Sequence, residues 1–498
     1  MVVPVGPLED CVTSPLQQDS AAAVQAPPGA DVLVVDLDGT LLRSDLLWES
    51  FWEVLGHDWR SPAGVALALR DGRAALKRHL TERTSLEVET LPYDRAVLDR
   101  IARWRAAGGR TALVTASDER LARQVGAHLG CFDEIHGSDG QTNLKGPEKA
   151  RFLRERFGAG FTYIGDSRAD LAVWQEAGAA ITANASAGVR AELAQRGIAA
   201  EHLAGAAAGP RDYLRALRPH QWLKNLLVFL PLLAGHQFAM ATLLQALLAF
   251  LAFSAIASSV YVLNDLLDLQ ADRHHPRKRE RPFAAGRIPI AHGAAMTAGL
   301  LAAGTLLSVL LGPVFFGVMV LYYVMTTLYS LALKRRIVLD ICVLAGLYTI
   351  RIVAGGAATG VPLSVWLLAF SIFLFFSLAA IKRQAELVDM AQRRTLKSRG
   401  RGYVATDLPF IAQAAVAAGY VSVLVMALYV SSPDVAELYP RPDLLWGICL
   451  VLLYWITRVA LLTHRGEMHD DPVVFAATDR TSQLCLLAVL LLVIGGTL

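Results

Sequence analysis

Apolar positions recur along this 498-residue chain in two rhythms, and the change from one to the other falls near residue 210. Before it, short apolar runs such as "DVLVVDL", "RTALVTA", "FTYIGD" and "AAITANA" alternate with longer amphipathic stretches. That alternation predicts strands and helices taking turns in a parallel α/β sheet of Rossmann-like type. After it come apolar spans of about 17 to 24 residues separated by short polar loops, the length a bilayer demands of a helix. Roughly nine spans are expected, centred near residues 230, 254, 300, 322, 346, 372, 420, 453 and 488. The Ala/Gly-rich stretch "AAEHLAGAAAGPRDYL" joins the halves. The expected organisation is a disordered segment over 1–29, an α/β domain over 30–200, a linker over 201–217 and an all-α membrane domain over 218–498.

The placement of charge orients the second half. Loops at 273–287, 334–336, 382–401 and 458–480 carry nearly all its Lys and Arg, whereas "GHQFAMA", "LGPV" and "GGAATGVPL" carry none and "SSPDVAELYPRPD" carries only Arg441. Basic loops stay in the cytoplasm, so alternate loops and the N-terminal domain are expected on that side of the inner membrane, with the C-terminus across it. The N-terminus shows no basic stretch followed by an apolar one, so no secretory signal is read there. Composition agrees with a membrane protein: 54% of residues are hydrophobic and 18% charged, against about 25% charged in soluble domains. A net charge of +3 gives no argument for nucleic acid. Cys11, Cys131, Cys342, Cys449 and Cys485 form no CxxC pair, which leaves neither a zinc site nor a disulfide framework to expect.

In the first half, "VVDLDGTLL" sets Asp36 and Asp38 just past a strand, followed by Gly39 and Thr40, a turn whose backbone N–H groups can face an anion. Two carboxylates one residue apart suit a division of labour, one attacking phosphorus and the other moving a proton. Another strand ends in the hydroxyl of Thr115, "NLKGPEKA" offers Lys145 with Lys149 as a competitor, and "YIGDSRAD" offers Asp166 and Asp170. Such groups can hold phosphoryl oxygens and complete an all-oxygen Mg²⁺ site. In this order over residues 30–200 they resemble the haloacid dehalogenase-like superfamily. The resemblance implies Asp36 as nucleophile, Asp38 as general acid/base, Thr115 and Lys145 as phosphate holders, and Asp36, Asp38 and Asp166 as Mg²⁺ ligands, with Asp170 in support. About 65 mostly helical residues between the first two motifs look like the small cap that shields such sites from water. An inactive domain serving as an anchor is the plain alternative.

In the second half, Asn264, Asp265, Asp268 and Asp272 of "NDLLDLQAD" follow an apolar span at spacings that put the three Asp on one helix face. Like charges there repel, and a divalent cation removes the repulsion; carboxylates and an amide oxygen suit Mg²⁺. A solvated helix end is the simpler reading, but ionisable groups at a membrane span are costly and point to function. The basic continuation "DRHHPRKRERPFAAGR" can serve as a topology signal, or its Arg277, Lys278, Arg279 and Arg281 can hold anions. Asp340 and Arg351 lie eleven residues apart, three helical turns, and so face the same way, as site residues or as partners of other helices. Tyr329 and Lys334 precede them, and Lys382, Arg383 and Glu386 close another span. Asp470, Asp471, Asp479 and Arg480 form a further patch to which no role is assigned.

"NDLLDLQAD", "YSLALK" and the following Asp340 resemble the UbiA superfamily of intramembrane prenyltransferases over residues 211–498. Together with "RPHQWLKNLLVFLPL", "RIVLDICVLAGLYTIRIVAGG" and "KRQAEL" they look like its decaprenyl-phosphate phosphoribosyltransferase branch. That branch implies phosphoribosyl pyrophosphate as donor, a polyprenyl phosphate as acceptor and a place in the supply of lipid-linked arabinofuranose. Carried onto this chain, Asp265, Asp268 and Asp272 would hold Mg²⁺ with help from Asp340. Lys224, Arg279 and Arg281 would meet substrate phosphates, and Asn264, Tyr329, Lys334, Arg351 and Lys382 would line the site. A prenyl diphosphate donor with an aromatic acceptor stays open beside it. A phosphatase on the same chain would then remove the 5-phosphate of the transferred ribose. Oligomeric state is not legible.

Overall fold

The computed structural model describes residues 32–498 except 59, 71, 140–142, 206–207, 393–401 and 469–470. The expected disorder over 1–29 lies outside the described residues. The chain forms two compact units: residues 1–217 with 262–296, and residues 218–261 with 297–498. The α/β part of the first unit thus packs with the segment carrying "NDLLDLQAD", which sequence composition assigns to the membrane half. Apolar packing explains this: Val262, Leu266, Phe283, Ile288 and Ile290 share one buried cluster with Trp52 and Ala216.

The first unit is built on six parallel strands, β1 Val32–Val35, β2 Arg110–Asp118, β3 Glu134–Ser138, β4 Phe161–Gly165, β5 Ala179–Ala183 and β6 Ala200–Leu203, in the order β3-β2-β1-β4-β5-β6. Side chains alternate across a strand, so β1 sends Leu33 and Val35 into one core and Val32 and Val34 into the other. A parallel sheet covered on both faces needs such continuous apolar runs. The order reverses beside β1, whose neighbours are β2 and β4. Crevices at such a switch, beyond the carboxyl ends of the strands, are where α/β sheets place their sites. Between Asp38 and β2 stand the helices Leu46–His57, Ser61–Arg70 and Arg73–Thr81, the expected helical cap, before Arg95–Ala106 returns to the sheet. Asp45 caps the first by accepting from the backbone N–H of Leu47 at 2.8 Å.

Among the described residues, eight helices are long and apolar enough to cross a membrane: Met240–Leu267, Ile290–Leu310, Pro313–Leu331, Leu339–Thr359, Val365–Gln392, Ala405–Val430, Pro442–His464 and Arg480–Thr497. They match every expected span but the one near residue 230. There the chain makes a 3₁₀ stretch, Pro219–Phe229, and a short α-helix, Leu230–Ala234, with prolines opening both. Proline at a first turn is tolerated, but Pro231 cannot donate to a helix arriving from Pro219. The apolar window of Leu339–Thr359 is 72% buried and that of Met240–Leu267 is 61%, against 11% for Arg480–Thr497. The two helices bearing Asp340, Arg351, Asn264 and Asp265 are therefore the inner ones of the set.

Candidate functional site

At the carboxyl ends of β1, β2 and β4 the predicted phosphate-handling side chains come together. Asp36 leaves β1 with its backbone N–H bonded to Ile164 O at 3.0 Å, which locks the nucleophile loop to β4. Gly39 has φ +75°, and a Cβ there would sit 2.3 Å from a carboxylate oxygen of Asp166, so only glycine permits both the turn and the approach. Ligand oxygens of Asp36, Asp166 and Asp170 lie within 4.8 Å of one another. Asp170, expected in support, thus joins Asp36 and Asp166 in the acidic trio. The Asp38 carboxylate is engaged elsewhere, accepting from the Leu46 N–H at 2.8 Å, from Ser117 Oγ at 2.5 Å and from Thr115 Oγ1 at 3.4 Å.

Of the two competing lysines, Lys149 reaches Asp36, Nζ to Oδ1 at 2.7 Å, and also donates to Tyr163 OH at 3.0 Å. Lys145, the expected phosphate holder, is exposed and lines the same cavity. The reason is local: Lys149 lies in the first turn of the helix Pro147–Phe157 and faces inward, whereas Lys145 precedes it. Tyr163 passes the link on to Asp170 Oδ1 at 2.7 Å. Ser117, Tyr163 and Lys77 escaped the reading of the sequence. Ser117 was visible as a hydroxyl two residues past Thr115, but the inward turn of Tyr163 and the reach of the cap residue Lys77 to Ala116 O are tertiary.

Burial pushes the carboxyls of Asp36 and Asp38 up to about 6; Lys149 works against the rise at Asp36, and the charge of Asp45 adds to it at Asp38. Asp166 is raised well above the usual carboxylate range by burial and by the charges of Asp170 and Asp36. Crowded, desolvated carboxylates of this kind are relieved by a hard divalent cation, so the oxygen set fits Mg²⁺.

The "NDLLDLQAD" motif sits on a bent rather than continuous helix. Met240–Leu267 ends, Asp268 takes φ −103° and ψ 16°, and Leu269–His274 resumes. Backbone bonds from Asp268 N to Asn264 O (3.0 Å) and from Asp272 N to Asp268 O (2.8 Å) carry the helical path across the bend. Asp265 and Asp272, each 2% exposed, converge on one guanidinium: Arg281 Nη1 lies 3.0 Å from Asp265 Oδ1 and 2.6 Å from Asp272 Oδ2. Two buried carboxylates sharing one cationic nitrogen are a donor pair that a metal ion also fits. Asp268 is half-buried and Arg279 lies beyond the bend.

In the second unit the expected residues divide into two clusters. Lys224 and Lys382 both donate to Asp471 Oδ2, at 2.7 and 2.8 Å, and Tyr348 OH donates to its Oδ1 at 3.2 Å. Burial opposes the charge of Asp471, and the ammoniums of Lys382 and Lys224 outweigh it, holding the carboxyl far below its usual range. Arg351 donates to Asn225 Oδ1 at 2.9 Å and stacks over Phe253, 4.9 Å from the ring centroid. Asp340 is instead 0% exposed, accepts from Tyr403 OH at 2.6 Å and pairs with Arg383 at 2.7 Å. The Asp340–Arg351 alignment read from helical spacing therefore leads to different partners three turns apart. Tyr329 and Lys334 are half-buried at the end of Pro313–Leu331 and in the turn after it. Asp471 had no assigned role; locally it marks only a helix start, capping Pro472–Thr478 by accepting from the Val473 N–H at 3.1 Å. Asp470 lies outside the described residues.

Comparison with known proteins agrees with these two chemistries. Residues 33–175 match the haloacid dehalogenase-like hydrolase family and residues 226–478 the UbiA prenyltransferase family. The chain is 40% identical to the uncharacterized protein y4nM of Sinorhizobium fredii over 456 residues, covering 90% of this chain and 88% of that one. It is 40% identical to nodulation protein NoeC of Azorhizobium caulinodans over 283 residues, 56% of this chain and 91% of NoeC. It is 35% identical to decaprenyl-phosphate phosphoribosyltransferase of Mycolicibacterium smegmatis over 290 residues, 55% of this chain and 89% of that enzyme. The chain belongs to the UbiA prenyltransferase family of integral membrane enzymes and carries a haloacid dehalogenase-like hydrolase domain ahead of its membrane helices.

Proposed function

We propose that the membrane helices transfer 5-phosphoribosyl from phosphoribosyl pyrophosphate to a polyprenyl phosphate, and that the N-terminal domain then removes the 5-phosphate to leave polyprenyl-phosphoryl ribose. Such a product would feed arabinofuranose-containing glycans of the cell surface. The observation that carries the transfer is the convergence of buried Asp265 and Asp272 on one cation, at the start of a loop with further basic residues. The name of the mycobacterial relative supplies the substrate class.

Mg²⁺ bound by Asp265, Asp268 and Asp272, and by Asp36, Asp166 and Asp170, would neutralise phosphoryl oxygens at both centres. In the transfer, an oxygen of the polyprenyl phosphate attacks the anomeric carbon from the face opposite the departing pyrophosphate, so configuration inverts. Lys224, Lys382 and Arg351 offer fixed positive charge, and Arg279 and Arg281 a second set, so positioning and charge neutralisation do most of the catalysis. In the hydrolysis, Asp36 attacks phosphorus, the ribose 5-oxygen leaves with a proton from Asp38, and water deprotonated by Asp38 then frees inorganic phosphate and regenerates Asp36. A carboxyl raised to about 6 is suited to giving and retaking that proton. The soluble domain and both active sites would face the cytoplasm.

Membranes containing the chain, given labelled phosphoribosyl pyrophosphate and polyprenyl phosphate, should move label into the lipid fraction in a Mg²⁺-dependent way. Consumption of a prenyl diphosphate with an aromatic acceptor, and no labelled lipid, would replace this reading with ordinary prenyl transfer.

A further inference from the structure

The cavity that holds Asp36 and Lys149 has a volume of about 1130 Å³, above the roughly 300–1,000 Å³ that takes a whole small-molecule ligand and far more than a phosphate fills. Its far wall is not part of the α/β sheet. Gly286, Arg287, Pro289, Ile290 and His292 form it, from the segment that follows "NDLLDLQAD" within the same compact unit. That wall is built in. Gly286, at φ +65°, comes so close to the sheet domain that a Cβ would meet Arg43 at 2.8 Å and Pro92 at 2.9 Å. Arg287 pairs with Asp212 at 3.1 Å, and His292 shares a 2.7 Å hydrogen bond with Tyr213 OH. Upstream, Arg273 and Glu49 form an ion pair at 2.6 Å, their side chains 4% and 1% exposed.

Two features of this cavity identify its ligand. First, the wall includes Ile290, the opening residue of the apolar helix Ile290–Leu310, which is long enough to cross a membrane. A ligand reaching that wall lies beside the first residue of a helix long and apolar enough to cross a membrane. Second, the cavity carries guanidiniums beyond those a single phosphate at Asp36 uses: Arg287 on this wall and Arg190 on the sheet side, whose buried Nε has no hydrogen-bond partner among the described residues. We propose that the hydrolase pocket recognises a sugar phosphomonoester bearing a second phosphoryl group that joins it to a membrane lipid, with Arg190 and Arg287 holding the second phosphate as specificity residues. This rests on the reading of the N-terminal domain as a phosphatase acting on the transferase product, and adds to it the recognition of the lipid-side phosphate.

The test uses the full chain in vesicles and three probes: farnesyl-phosphoryl ribose 5-phosphate in the bilayer, soluble ribose 1,5-bisphosphate, and p-nitrophenyl phosphate. Wild type should prefer the lipid-linked probe, and Arg190→Ala and Arg287→Ala should each lower the ratio of its kcat/KM to that for p-nitrophenyl phosphate at least about tenfold, chiefly through KM. Arg287→Lys should recover part of that ratio, which separates lost charge from a collapsed loop. A ratio within twofold of wild type in both alanine variants overturns the role of the arginines, and equal use of the soluble bisphosphate overturns the membrane source. Hydrolysis of p-nitrophenyl phosphate but of neither phosphosugar would fell the underlying two-step reading instead.

Discussion

Two acidic groups in this chain meet the same electrostatic difficulty in opposite ways. At the sheet, Asp36 follows β1 whereas Asp166 and Asp170 follow β4, at least 130 residues further along the sequence, and the three crowd within 4.8 Å. Lys149 compensates Asp36 at 2.7 Å and Asp170 at 4.0 Å, and burial holds Asp166 toward protonation. At the membrane motif, Asp265 and Asp272 come from a single bent helix seven residues long between them, and Arg281 answers both. A site assembled from strand ends is fixed by the fold, because moving one carboxylate means moving a strand. A site on one helix is fixed by spacing, and its compensating cation is a loop residue that a stronger ligand can displace.

That difference can be broken most sharply at the nucleophile. Asp36→Asn should abolish phosphate release from any monoester, by on the order of 10⁴-fold, as removal of a covalent nucleophile does, while label still enters lipid; a colorimetric phosphate assay beside the lipid extraction checks both. Asp272→Ala should lower transfer by roughly 10²–10³-fold, the scale of losing a preorganised charge-stabilising group, and leave p-nitrophenyl phosphate hydrolysis measurable in the same membranes. Lys149→Met strands Asp36 beside Asp170, and a loss of about 10²-fold in hydrolysis is expected from removing one partner of a buried pair. Lys145→Met should cost less than tenfold by the same assay, and the reverse order would return the phosphate role to Lys145. Gly39→Ala, which forces a Cβ against Asp166 at a left-handed φ, should cost about tenfold, as a strain of about 1–3 kcal/mol implies.

How much of this was legible follows from the same contrast. Alternating apolar runs located every strand that carries chemistry, and the two Asp of "DLDGT" needed no tertiary information, because local sequence fixes a strand end and the turn beyond it. Helical spacing grouped Asp265, Asp268 and Asp272 as well. It could not show the bend at Asp268, nor that Asp340 faces Tyr403 and Arg383 while Arg351 faces Asn225. That Lys149 rather than Lys145 reaches Asp36 depends on which face of Pro147–Phe157 turns to the sheet, a tertiary fact. Asp471 and the wall at Gly286–His292 were out of reach of periodicity altogether, since both are made by segments far apart in sequence meeting in space. Compositional division near residue 210 also hid that residues 262–296 pack with the α/β part, because apolar residues that bind a protein surface and those that bind lipid look alike in sequence.

The central claim is that the two centres act in succession on one lipid. It is tested most directly by incubating membranes of wild type, Asp36→Asn and Asp268→Asn with polyprenyl phosphate and phosphoribosyl pyrophosphate labelled in the ribose, then resolving the labelled lipids. The account predicts polyprenyl-phosphoryl ribose from wild type, its 5-phosphate accumulating in Asp36→Asn, and no labelled lipid in Asp268→Asn. The same dephosphorylated lipid from Asp36→Asn as from wild type, or undiminished labelling in Asp268→Asn, would contradict it.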